Sequence, residues 1–123
     1  MSDGTAVRSF DELQMRLLRH LLSVQFRGVE ELRRQLDVAK ISKNWGETSA
    51  SFDIVVPSDV PQASLADGPA PIEALVEDER GEYLGELILW ISQGTISALE
   101  YAWVTDMPPV KLPDVGEISV APA

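Results

Sequence analysis

Cysteine is absent from this chain of 123 residues, which excludes a disulfide framework, a thiolate metal site and a cysteine nucleophile. Histidine occurs once, at His20, so a multi-histidine metal centre is excluded as well. Aromatic residues make up only 7% of the chain, which weighs against a large aromatic-lined ligand cavity. No apolar run approaches the length of a membrane span. The opening MSDGTAVRSFDE has no basic stretch leading into an apolar core, so no signal peptide is expected, and the cytoplasm is the expected compartment. Phosphate-cradling glycine motifs and the G-x-S-x-G elbow of a serine nucleophile are also missing. His20 lies between Arg19 and Leu21 in a helical pattern and reads as a solvated helix residue rather than a catalytic base.

Positive charge is scarce in one part of the molecule. Residues 1–50 hold 8 basic and 7 acidic residues, whereas residues 51–123 hold 2 basic and 13 acidic, a net charge of −11. Such a segment repels phosphate, so neither nucleic acid nor an anionic membrane surface is an expected partner. It attracts a basic partner and speeds encounter with it. With 45% hydrophobic and 24% charged residues the composition is that of a globular protein, and the length is that of one domain, 1–123.

Residues 1–8 are small and polar and are expected to be flexible. Ser9 and Glu12 have the spacing of a capping box, and Phe10, Leu13, Leu17, Leu21 and Val24 follow on one helical face. After a break at 25–28, Val29, Leu32 and Leu36 give a second amphipathic helix, so 9–36 reads as a helical pair. From 38 to 120 the period changes to that of strands. A strand is expected within 38–45, another over 51–57 with Phe52, Ile54 and Val56 alternating, and another at Ile72, Ala74 and Val76. Tyr83 to Ser92 and Ile96 to Thr105 form a hairpin about a tight Gln93-Gly94 turn, and a short edge strand is expected at 117–120. The proline-rich stretch 57–71 between them is a long surface loop. Strands joined by tight turns after two helices predict an α+β fold, with both helices on one face of an antiparallel sheet of four to six strands.

The acidic residues Glu77, Asp78, Glu79, Glu82 and Glu86 surround a turn and read as a hydrated charge run rather than a metal or acid–base site. A turn at Gln93-Gly94 sets Leu87 opposite Glu100, which makes Glu100 the odd residue of its face: that face is wet, or Glu100 has a buried basic partner. Leu99, Tyr101 and Trp103 share the other face of their strand. Aromatics beside acids make interface anchors, so the expected partner-binding set is Glu77, Asp78, Glu79, Glu82, Glu86, Glu100, Tyr101, Trp103 and Asp106. The competing reading packs Trp90, Tyr101 and Trp103 beneath the helices.

The segments SFDI at 51–54, LGELILW at 84–90, Gly94, LEYAW at 99–103 and TDMPP at 105–109 together resemble a group of small acidic actinobacterial proteins. Some members of that group look similar to immunity proteins of polymorphic toxin systems. The resemblance covers about half the chain and, being a pattern of strands and turns, says more about fold than about activity; it offers no catalytic residues to carry over, and no metal or cofactor is expected. Small size, the lack of a catalytic constellation and the net charge of −11 in the sheet half make the expected function non-enzymatic: an immunity or antitoxin-like protein that neutralises a basic protein such as a toxin. The alternatives are a homo-oligomeric accessory domain, pairing with a second copy through sheet edges, and a small-ligand-binding α+β domain with a pocket between helices and sheet.

Overall fold

The computed structural model describes residues 7–123; the first six residues of the expected flexible start lie outside that range. Arg8, also within that expected start, is held in place. Its backbone N–H donates to the Ile41 carbonyl at 3.0 Å and its carbonyl accepts from the Ile41 N–H at 2.8 Å. This extended pairing carries the chain past Ser9, and the helix begins later than the Ser9 capping box predicts. Asp11 is the cap instead: its carboxylate accepts from the Gln14 N–H at 2.7 Å, while the Gln14 side chain accepts from the Asp11 N–H at 2.9 Å.

Helix α1 spans Glu12–Leu21 and buries Leu17, Leu18 and Leu21. Helix α2 spans Val29–Leu36 and buries Val29, Leu32, Gln35 and Leu36. The strands are β1 Lys40–Asn44, β2 Phe52–Val55, β3 Gly68–Pro69, β4 Ile72–Glu77, β5 Tyr83–Ser92, β6 Thr95–Trp103 and β7 Ile118–Pro122, the last preceded by one 3-10 turn at Val115–Glu117. They form a seven-stranded sheet in the order β1-β2-β6-β5-β4-β7, with β3 paired to β5 and every pairing antiparallel. The α+β architecture is as the periodicities predict. The strand beyond the expected maximum of six is β3, inside the proline-rich loop.

The core lies between the helices and one face of the sheet. Phe52, Ile54, Val76, Leu87, Leu89, Ile91, Ile96 and Leu99 meet the helical leucines in one buried cluster. Each such side chain contributes about 1.5–3 kcal/mol by leaving water. One polar residue is built into this layer. Gln35 is fully buried, and its amide nitrogen donates to the carbonyls of Pro61 at 2.8 Å and Gly94 at 2.9 Å, while its oxygen accepts from the Ile96 N–H at 2.9 Å. A single side chain thus joins α2, the proline-rich loop and the β5–β6 turn. The loop is pinned again where the Ala63 N–H donates to Gly94 O at 2.9 Å. At Gly94, φ is 75° and a Cβ would sit 2.6 Å from the Ala63 carbonyl, so only glycine fits this contact.

Gln93 and Gly94 both have positive φ, the geometry of a two-residue hairpin turn with the twist of its strands. The register begins as the sequence predicts, with Ile91 opposite Ile96. It then shifts by one residue: Trp90 faces Ala98, Ile88 faces Glu100 and Leu87 faces Tyr101, so that Ser97 is the extra residue of a bulge. The expected pairing of Leu87 with Glu100 is therefore replaced. The bulge turns Tyr101 toward the core and Glu100 away from it. At the sheet's far edge, the ring of His20 in α1 lies 2.9 Å from the Ile118 carbonyl of β7, so this histidine is half-buried and bonded rather than solvated.

Candidate functional site

The expected partner-binding residues divide among separate places. Glu77, Glu79 and Glu82 are exposed around the β4–β5 turn. Asp78 has a structural task there, its carboxylate accepting from the N–H groups of Arg80 at 2.8 Å and Glu82 at 2.9 Å. Trp103, 46% exposed at the end of β6, and the exposed Asp106 beyond it lie toward the same end of the sheet. Tyr101 does not join them. It is only 6% exposed, on the core side of β6, so its expected role as an interface anchor does not fit its position. Its ring borders a cavity of about 380 Å³ that is also lined by Leu13, Leu84, Lys111, Leu112 and Glu117. Burial, and then the Glu117 carboxylate, hold its phenol above the ordinary value of 10.0.

Glu86 and Glu100 belong to a third place, the sheet face opposite the helices. Along β5 the side chains of Leu87, Leu89 and Ile91 are buried, whereas Glu86, Ile88 and Trp90 between them keep intermediate exposure. Facing the same way are Glu100 and Ala102 on β6, Asp53 and Val55 on β2, and Glu73 and Leu75 on β4. The centre of this face is apolar, with Ile88, Trp90, Ala98 and Val55, and carboxylates stand around it. Asp53, Glu73, Glu86 and Glu100 take part in no ion pair among the described residues. The three pairs present, Arg16–Glu12, Arg19–Asp37 and Arg33–Glu30, all lie in the helical half.

Two of these carboxylates hold tryptophans. The Trp90 indole N–H donates to Glu100 Oε1 at 3.0 Å, and the Trp45 indole N–H donates to Asp53 Oδ1 at 2.9 Å. The partner of Glu100 is therefore an indole on its own face, not a buried arginine or lysine. Asp53, Ala98 and Trp90 are in register across β2, β6 and β5. Alanine at the middle position, only 6% exposed, leaves a shallow trough that is broadly open to solvent, about 590 Å³ in volume and bounded by Trp45, Asp53, Val55, Trp90, Ser97 and Ala98.

Trp45, Asp53, Ile88 and Trp90 are the residues of this face that the charge pattern alone does not bring forward. Their signal is the second phase of the strand alternation: Ile88 and Trp90 between Leu87, Leu89 and Ile91, and a lone aspartate in SFDIVV. Among the described residues, no three histidine, aspartate or glutamate side chains come together as a metal-binding set, and no helix is long and apolar enough to cross a membrane. No family model matches this chain, and no curated protein or solved structure matches it.

Proposed function

We propose that this chain is a non-enzymatic acidic binding protein, of the immunity or antitoxin kind, that neutralises a basic partner through the open face of its sheet. The observation that carries this reading is the ring of unpaired carboxylates, Asp53, Glu73, Glu86 and Glu100, around an apolar centre of Ile88, Trp90, Ala98 and Val55. An apolar centre with a charged surround is the anatomy of a protein interface. The centre supplies buried area, and the carboxylates supply steering and choice of partner. A basic partner, such as an enzyme that cuts nucleic acid and needs positive surface to hold it, is complementary to this arrangement.

The test is stoichiometric capture of a basic protein from native lysate at low salt, by the wild-type chain and by variants. Ile88→Lys, at the centre of the face, is expected to abolish capture, and Glu100→Lys to weaken it by about tenfold or more. Glu79→Lys and Glu82→Lys, at the turn, are expected to slow association only, an effect that salt removes. Capture that is unchanged in Ile88→Lys, or no basic protein captured at any salt, overturns the proposal.

A further inference from the structure

The trough over Ala98 has walls of an unusual kind. On one side stands Trp45 with its indole N–H on Asp53, and on the other Trp90 with its indole N–H on Glu100. Each hydrogen bond helps to fix the plane of its ring. Each leaves the carboxylate with lone pairs to spare, because an ionised carboxylate accepts about four bonds and the indole uses one. Strands in a sheet are about 4.8 Å apart, so β2 and β5, on either side of β6, are separated by roughly 10 Å. Between them Ala98 is the only side chain of its row, and it is small. The space suits a flat group with aromatic surface beside it and negative charge within reach.

We infer that this cleft is the receptacle for one arginine side chain of the basic partner, its guanidinium lying against the indoles of Trp45 and Trp90 and donating to the free oxygens of Asp53 and Glu100. Both requirements of a guanidinium are met at once. Its face stacks on indole rings, and its N–H fork donates to carboxylates. An ammonium is a poorer fit, because it is a compact, strongly hydrated charge with no plane to stack. Two cations of the chain itself border this face from β1, Lys40 opposite Val55 and Lys43 opposite Asp53, and neither forms an ion pair among the described residues. This inference rests on the reading of the open face as the partner's surface and adds the chemistry by which that face selects.

The experiment follows the indole N–H resonances of the full chain while it is titrated, at low salt, with a hexa-arginine peptide and then with a hexa-lysine peptide. The expected result is movement of the Trp45 and Trp90 resonances without Trp103, and affinity for the arginine peptide about fivefold above that for the lysine peptide. Ala98→Leu fills the trough without altering charge and is expected to remove the arginine preference. Asp53→Asn, a change of charge with almost no change of shape at a half-buried position that keeps the Oδ1 acceptor for Trp45, is expected to lower arginine affinity by about threefold. Equal affinity for the two peptides, or a preference that survives both Ala98→Leu and Asp53→Asn, overturns the arginine receptacle and leaves the acidic face standing as a general attractor of basic partners. If neither peptide binds at low salt, the receptacle and the reading of the open face fall together.

Discussion

The two faces of the sheet treat their polar groups in opposite ways. Among the described residues every buried side-chain nitrogen and oxygen has a hydrogen-bond partner, and the helix-covered face shows how. Gln35 satisfies three backbone groups, and Ser51 Oγ accepts from the Tyr101 N–H at 2.9 Å. On the open face two carboxylates, Asp53 and Glu100, hold indole N–H groups, and none of the four forms an ion pair among the described residues. Both faces come from the same two strands, and side chains one residue apart belong to different surfaces. The difference teaches that stability and recognition are separable here by a step of one residue along β5.

The largest expected effect breaks that comparison directly. Leu89→Ala removes a side chain that is 1% exposed and should cost about 3 kcal/mol, whereas Ile88→Ala, next to it on the open face, should cost under about 1 kcal/mol. Urea unfolding of the two variants measures both; equal costs would mean that the open face is covered in solution. Gln35→Leu comes next. It takes the Gln35 partner from the Pro61 carbonyl and the Ile96 N–H and leaves the Gly94 carbonyl with the Ala63 N–H alone, for an expected loss of about 2 kcal/mol, with faster amide exchange along the proline-rich loop as its local signature.

Tyr101 sharpens the comparison through pH. Its phenol is raised from 10.0 by burial and by Glu117 in the folded protein, so as pH climbs the unfolded chain loses this proton first. The folded state therefore binds more protons in that range. Stability is intact below about pH 10 and declines as pH rises toward the folded-state value. Tyr101→Phe should flatten the alkaline decline, seen as melting temperature against pH. The smallest effect belongs to the wet face of α1. Arg16–Glu12 at 3.2 Å is exposed on both sides, and Glu12→Gln should cost about 0.3 kcal/mol, an amount that vanishes in high salt.

Much of this fold is legible in residue order. Tyr83–Ser92 and Ile72–Glu77 have the bounds their alternation predicts, and α2 begins and ends on its apolar residues. What was hidden depends on contacts between distant segments. Ser9-x-x-Glu12 and Asp11-x-x-Gln14 are both capping patterns, and the choice is made by Ile41, which holds Arg8 extended. Ala63 and Ala70 are buried in the proline-rich loop, but two small residues make no period. The candidate site was half legible. Charge pointed to Glu86 and Glu100, yet the bulge at Ser97 decides which way Glu100 points, and nothing in ISALEY announces an extra residue. Without it, Tyr101 would stand outside and the carboxylate within.

The bond between His20 and Ile118 has a consequence for how copies of this chain behave when crowded. Main-chain groups alternate in direction along a strand, so the residues of β7 turned away from β4 are Ile118, Val120 and Pro122. The Ile118 carbonyl is taken by the imidazole, its N–H by the Val115 carbonyl, and Pro122 has no N–H to give. Val120 alone offers a full donor and acceptor, too little to template another strand. At the opposite margin Arg8 already occupies the Ile41 groups of β1. Each edge strand thus has main-chain groups already engaged, at Ile118 on β7 and at Ile41 on β1, which leaves less backbone for a further strand to pair with and shifts the burden of attachment toward side chains.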